Sequence, residues 1–578
     1  MGLLTLRAAL VFVLGSLALT GLAAQPADLI LRNGKIVTVD ARFRIVPALA
    51  VRGERLALVG SEAAVMRLRG PKTQVVDLAG KTVLPGLIDS HTHALDASLY
   101  EFDHEIPDME TIADVLAYVR QRARIVPQGE WIALAQVFVT RLREQRYPTR
   151  AELDAAAPQH PVIFSTGPDA ALNTMGLARN GITKDTKSPP GQSGKVELDP
   201  RTGEPTGMLR SYSALVKTPR TGRPITDADR LARLKLLMAD YNSLGITSFS
   251  DRAASSSEIE IYRTLRQRGE LSCRVFLNYH VDLPNREWKE VAAEIAGAAA
   301  DPLHRYDNML WLRGLKVFLD GGMLTGSALM REPWGPSDTY AIVDPEYRGM
   351  RYIDAQRLYE LARESLKHDL QFTAHSVGDG AVHALIEAYE RVNRDFPVRA
   401  GRPCLTHANF LSPEALEKMA RIGIVADLQP AWLERDGATL LKHFGAARLR
   451  YFQPYASLFK AKVMVGGGSD HMQKIGGMRA TNPYHPFWGM WVTLARQPRW
   501  SDAVLHPEEK ITREQAIRLY TINNAYLTFE EKEKGSLETG KLADFIVLRK
   551  DILTCPEDEV KDIQVESTYL GGRRVFTR

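Results

Sequence analysis

The chain has 578 residues, 45% of them hydrophobic and 25% charged, and carries a formal net charge of +5. That length and balance can bury a large core and predict more than one globular domain. A charge so small, with no dense Lys/Arg run interleaved with aromatics, argues against a nucleic-acid partner.

At the N-terminus, Arg7 precedes an uncharged apolar run from Ala8 to Leu19, followed by Thr20-Gly21-Leu22-Ala23-Ala24-Gln25. This is the pattern of a secretory signal peptide over residues 1–24, cleaved after Ala23 or Ala24. It predicts export across the inner membrane to the periplasm; the competing reading is an uncleaved anchor, for which the run is short. No later segment is long and apolar enough to cross a membrane. The three cysteines, Cys273, Cys404 and Cys555, are too few and too scattered for a disulfide framework.

Residues 25–84 alternate apolar positions with Asn33-Gly34 and Arg52-Gly53 turns, the signal of short strands and hairpins. Strand patterns return in residues 528–578, at Asp544 to Leu548, Val565 to Leu570 and Val575-Phe576. Two β-rich ends around a long α/β middle predict one β-sandwich built from both termini.

Between them, residues 85–527 alternate strands and helices. The opening run Val83-Leu84-Pro85-Gly86-Leu87-Ile88 has no charge until Asp89 and reads as a strand buried on both faces, with His91 and His93 at its C-terminal end. Residues two apart on a strand share a face, so the two imidazoles aim at one point. Seven further strands follow: Gly245 to Asp251, Ser272 to Asp282, Leu312 to Asp320, Leu370 to His375, Pro403 to His407, Gly423 to Gln429 and Lys462 to Asp470. Helices separate most of them, including Asp227 to Leu244, one opened by Ser412-Pro413 and one by a Thr512/Gln515 capping box. Eight such units predict a (β/α)8 barrel of the α/β class, the TIM barrel, with a large insertion at about residues 97–225 over its mouth.

The C-terminal ends of those strands collect one chemistry. His91 and His93 close the first strand, Lys316 lies in the fourth, and His375, His407 and Asp470 end the fifth, sixth and eighth. Imidazoles with a carboxylate suit Zn²⁺ and similar divalent metals, one ion or two. Lys316, in an apolar strand, needs either carboxylation on its side-chain nitrogen, which would make it an anionic bridge between two metals, or an ion pair with Asp320 or Asp470. His280 ends the third strand within reach of a substrate. Tyr279, Gln429, Trp432 and Trp488 are further candidates for the pocket.

These residues resemble the amidohydrolase superfamily, and within it the amidohydrolase 3 or YtcJ-like group that contains N-substituted formamide deformylases. The resemblance rests on Leu84-Pro85-Gly86-Leu87-Ile88-Asp89-Ser90-His91-Thr92-His93, Lys316-Val317-Phe318-Leu319-Asp320-Gly321, His375-Ser376-Val377-Gly378-Asp379, Thr406-His407-Ala408, Gly468-Ser469-Asp470 and Gly535-Ser536-Leu537-Glu538-Thr539-Gly540-Lys541-Leu542-Ala543-Asp544. It implies metal-dependent hydrolysis of amide-type, non-peptide C–N bonds, with His91, His93, His375, His407 and Asp470 as ligands and Lys316 as the bridging lysine. Asp470 is the expected proton carrier, and His280 or His407 would assist the oxyanion. An ester, lactone or cyclic imide is the alternative substrate class for the same site, and a non-catalytic metal-binding protein the alternative role. Asp169 stands where members often carry a histidine, a departure in the substrate-facing insertion. The expected partner is a small-molecule substrate, with no nucleic acid and no membrane after signal cleavage; a homodimer is left open.

Overall fold

A computed structural model describes residues 25–578 apart from 136, 168, 188–193, 211, 214, 215, 219–222 and 285. The predicted signal peptide therefore lies outside the described residues. No described helix is long and apolar enough to cross a membrane.

Both ends of the chain build two packed sheets. One orders its strands Arg55–Gly60, Ala48–Arg52, Leu29–Arg32 and Gln74–Asp77; the other runs Arg573–Thr577, Val565–Leu570, Phe545–Leu548, Thr82–Pro85, Lys35–Val37 and Ile45–Val46. Leu31, Leu49 and Val51 of the first share a core with Ile36, Val83, Phe545 and Tyr569 of the second. Alternating apolar positions on each strand supply that inner face.

The middle of the chain forms eight parallel strands hydrogen-bonded in sequence order: β1 (Leu87–Thr92), β2 (Ile246–Ala254), β3 (Arg274–His280), β4 (Leu310–Phe318), β5 (Gln371–Ser376), β6 (Cys404–His407), β7 (Val425–Leu428) and β8 (Val465–Gly467). This is the predicted barrel. At the seam between β8 and β1 one side chain bridges the two strands. Asn524 Nδ2 donates to the carbonyls of Ile88 (2.6 Å) and Gly467 (2.8 Å), and its Oδ1 accepts from Gly467 N (3.1 Å), replacing a ladder of backbone bonds.

The run Val83 to Ile88 is two strands, where the sequence reads as one. Thr82–Pro85 pairs within the sandwich, and β1 begins at Leu87. The chain changes sheets at Gly86, where a Cβ would come within 2.2 Å of Thr247 Oγ1 on β2, so no larger residue fits the crossing. A buried ion pair locks the two units together nearby. Arg274 of β3 donates Nε and Nη2 to the two oxygens of Asp544 at 2.7 and 2.9 Å, the bidentate geometry in which Arg–carboxylate pairs are strongest.

The expected helices form. Asp227–Ser243 starts on a Thr226/Asp229 capping box, Pro413–Ile422 on Ser412, and Arg513–Leu519 on a Thr512/Gln515 capping box. Between β1 and β2, the insertion carries its own five-stranded sheet, built from Ile132–Ala135, Val162–Thr166, Asp169–Leu172, Lys195–Leu198 and Pro205–Arg210, and the helix Ile112–Ala123. The three cysteines are buried and free.

Candidate metal centre

His91 lies on β1 and His93 one residue beyond it, and the loop after β8 is drawn against them. Asp470 N donates to His91 O and His93 N to His471 O, both at 2.8 Å. Such an approach requires Gly468, because a Cβ there would sit 2.7 Å from Ser90 Oγ and 2.8 Å from His91 N. Asp89 Oδ1 adds a staple, accepting from the backbone N–H groups of His91 and Ser469 at 3.0 Å each. Asp470 itself has φ of 55° and His407 φ of 75°, left-handed conformations that cost about 1–3 kcal/mol for such residues and concentrate at functional sites.

The result is a cluster in which ligand atoms of His91, His93 and Asp470 all lie within 4.8 Å of one another. Asp470 Oδ1 stands 3.2 Å from Nε2 of each histidine. His407 stacks on His91 with ring centroids 4.9 Å apart, and His375 meets His407 edge-on at 4.4 Å. His375 Nε2 faces the Gly321 carbonyl at 3.3 Å, outside the tight group of three. His280 is half-buried at the end of β3 against the exposed ring of Phe318, centroids 5.4 Å apart.

Protonation in this cluster is dictated by the layer behind it, which sequence reasoning missed except for Gln429. Asp427, on β7, has Oδ1 3.2 Å from His91 Nδ1 and accepts from Gln429 Nε2 at 2.8 Å. Gln429 Oε1 is thereby turned toward His407 Nδ1, 2.8 Å away. Both acceptors face Nδ1, so both imidazoles carry their proton there and present a bare Nε2 to the cluster. Arg252, fully buried on β2, holds Asp427 Oδ2 at 3.1 Å and Ser90 O at 2.8 Å. Asp427 lies on β7 and Gln429 one residue beyond it, at the start of the following helix.

Electrostatics agree with that arrangement. Burial, then the Lys316 charge, holds His91 well below the ordinary imidazole range, and burial with the neighbouring imidazoles does the same to His407. His375 is pushed down to about 3 by burial and by Lys316. Burial would also lower His93, but the hydrogen bond to Asp470 together with the charges of Asp470 and Asp251 raises the group; burial lifts Asp470 despite His93. With His91 neutral and protonated on Nδ1, its Nε2 lone pair faces a carboxylate oxygen at 3.2 Å with no hydrogen between them, and Nε2 has no hydrogen-bond partner. Two acceptors so placed call for a cation. The residues fit a divalent metal.

Lys316 is fully buried, and its Nζ has no hydrogen-bond partner among the described residues. The expected alternative, an ion pair with Asp320 or Asp470, does not form within 4 Å among the described residues. Asp320 instead accepts from the backbone N–H groups of Leu329, Val377 and Gly378, each at 3.0 Å. Burial draws the Lys316 amine down to about 8, and its Nζ sits 5.0 Å from the Phe318 ring centroid. Of the other pocket candidates, Trp432 stacks on His407 with centroids 4.9 Å apart, Tyr279 is tied to Glu294 at 2.8 Å, and Trp488 packs under Arg435. Asp169 is buried in an ion pair with Arg210. A charged partner there is a role that a neutral histidine would not fill.

A parallel barrel with a histidine–aspartate cluster suited to a divalent metal at the C-terminal ends of its strands is the arrangement of a metal-dependent hydrolase. A sequence model described as "Amidohydrolase family" matches residues 74–576, and the chain belongs to that family. It is 29% identical to the N-substituted formamide deformylase of Arthrobacter pascens, over 95% of this chain and 98% of that one. It is 24% identical to the putative amidohydrolase YtcJ of Bacillus subtilis, over 88% and 91%. The fold matches an uncharacterised metal-dependent hydrolase from Pyrococcus furiosus with a TM-score of 0.65 at 22% identity, covering 91% of this chain and 100% of that one.

Proposed function

We propose that the centre takes zinc, as one ion or two, through His91, His93, His375, His407 and Asp470, and that it hydrolyses small N-acyl or N-formyl amines. The observation that carries this reading is the bare His91 Nε2 facing Asp470 Oδ1, held in that tautomer by Asp427. A bound divalent ion lowers the pKa of water from about 15.7 towards 7 and polarises a carbonyl oxygen. Asp470 is the residue placed to take the proton from the attacking water and hand it to the leaving nitrogen as the C–O bond forms and the C–N bond breaks. The ring of His280 is the group we assign to steady the oxyanion; His407, protonated on Nδ1, offers only a lone pair at Nε2 and is assigned to the metal.

Lys316 fits the bridging role. A buried amine without a partner, drawn toward neutrality, can attack CO₂ through Nζ and release a proton, giving a carbamate whose oxygens answer the nearby metal ligands. The similarity to a formamide deformylase supports formamides as the first substrates to try, while Asp169 in the insertion argues against assuming the same N-substituent. The pattern of residues 1–24 supports export and action in the periplasm.

The test is metal analysis of purified protein followed by a panel of N-formyl amines, N-acyl amines, lactones and cyclic imides, with and without chelator. Turnover of the amides that chelator abolishes and Zn²⁺ restores is expected. Metal present with no turnover of any amide, or turnover confined to lactones, would overturn the reading.

A further inference from the structure

Arg141, in the 3-10 turn Val139–Arg141, reaches under the barrel's rim with its side chain buried. Its Nε and Nη2 donate to Asp436 Oδ1 and Oδ2 at 3.1 and 2.9 Å, and Thr140 Oγ1 donates to the same carboxylate at 2.8 Å. Asp436 belongs to Pro430–Arg448, the helix that follows β7. Fixed at that end, Arg141 donates Nη1 to Asn482 Oδ1 at 2.9 Å.

Asn482 is fully buried, in the loop after β8. Its Oδ1 also accepts from Trp432 Nε1 at 3.2 Å, the same indole that stacks on His407. Guanidinium and indole N–H groups are donors only, so the amide cannot turn over. Its Nδ2 must therefore face Asp470, where it donates to the main-chain carbonyl at 2.7 Å and to Oδ2 at 3.2 Å. Asp470 Oδ1 is the oxygen turned to His91 and His93, so the amide holds the opposite oxygen and fixes the carboxylate's rotation.

We propose that Arg141, anchored by Asp436, and Asn482 form a positioning device through which the insertion sets the orientation of the Asp470 carboxylate. The proposal rests on Asp470 acting at the metal centre as described above. It makes the insertion part of the active site's construction, since without Arg141 the Asn482 amide loses the charged donor that fixes its direction. Outer partners of ligating carboxylates are generally worth 10–100-fold in metal affinity or activity.

The experiment is a double-mutant cycle on the full chain, Arg141→Met, Asn482→Leu and the pair, reading the Zn²⁺ Kd of the apoprotein by chelator competition and kcat and KM on N-butylformamide. Asn482→Leu is expected to raise the Zn²⁺ Kd about tenfold or more and to lower kcat with KM shifted less than threefold. The pair is expected to be no worse than Asn482→Leu alone, because Arg141 acts through the amide. A purely structural role would lower the unfolding temperature without this non-additivity. Should either variant fail to fold, the isosteric Asp436→Asn is expected to give a threefold to tenfold rise in Zn²⁺ Kd. A Zn²⁺ Kd within twofold of the parent in the folded variants, or a pair whose effect is the product of the singles, overturns the proposal. If Asp470→Asn also leaves Kd and turnover unchanged, it is the assignment of Asp470 that fails.

Discussion

Asp427→Asn is the substitution whose consequence follows most fully from the geometry. The carboxylate accepts from His91 Nδ1 at 3.2 Å, Gln429 Nε2 at 2.8 Å and Thr406 Oγ1 at 3.4 Å, and its Oδ2 stands 3.1 Å from Arg252 Nη2 as an ion pair. An amide of the same shape has one acceptor. With its oxygen toward His91 and Gln429, its NH₂ meets Arg252, donor against donor. Turned the other way, the NH₂ meets His91, whose proton must then move to Nε2, the nitrogen the metal needs. The second outcome should weaken Zn²⁺ binding 10–100-fold, equivalent to about 1.4–2.7 kcal/mol. Either way the buried guanidinium loses its counter-charge, a loss of about 3–5 kcal/mol in stability. Chelator competition reads the affinity and thermal or denaturant unfolding of the apoprotein reads the stability. A variant with both unchanged would refute the claim that Asp427 dictates the state of His91.

Replacing the buried amine in Lys316→Met should leave the apoprotein as stable as the parent or more so by about 1–3 kcal/mol, since it removes a buried polar group without a partner, yet abolish turnover. Denaturant unfolding and activity are read together, and strong destabilisation would mean that Nζ has a structural partner. Asp470→Asn should abolish turnover while the protein still takes up its metal at saturating Zn²⁺, since the histidines remain; near-normal turnover would remove Asp470 from the chemistry. Asn524→Ala should cost about 2–4 kcal/mol, because it leaves the carbonyls of Ile88 and Gly467 and the N–H of Gly467 unsatisfied at the barrel seam. Urea midpoints test this, and a change below 0.5 kcal/mol would mean that the seam is closed by other contacts.

The sequence was most readable where function follows from position along one strand. The two-residue spacing of His91 and His93, and the arrival of Lys316, His375, His407 and Asp470 at or near strand ends, need only the period of a β-strand and the polarity of a parallel barrel. What it concealed depends on partners brought from far along the chain. Asp427 meets Arg252 and His91 across the barrel, and nothing in Val425-Ala426-Asp427-Leu428 announces an acid that orients a histidine 336 positions away. Asn482 reads as a loop residue before a proline until Arg141 is seen beside it. The break at Gly86 is equally local and equally hidden, because it is Thr247 that forbids a side chain there. The ion pair that stood as the alternative for Lys316 does not form with Asp320, whose carboxylate is already occupied by three backbone N–H groups.

The most direct test of a catalytic metal at the histidine–aspartate cluster is hydrolysis of an N-formyl amine by protein stripped of metal and then titrated with Zn²⁺. The expected result is no turnover in the stripped protein and recovery in proportion to bound Zn²⁺, saturating at one or two ions per chain. Full turnover by protein shown to be metal-free would contradict it.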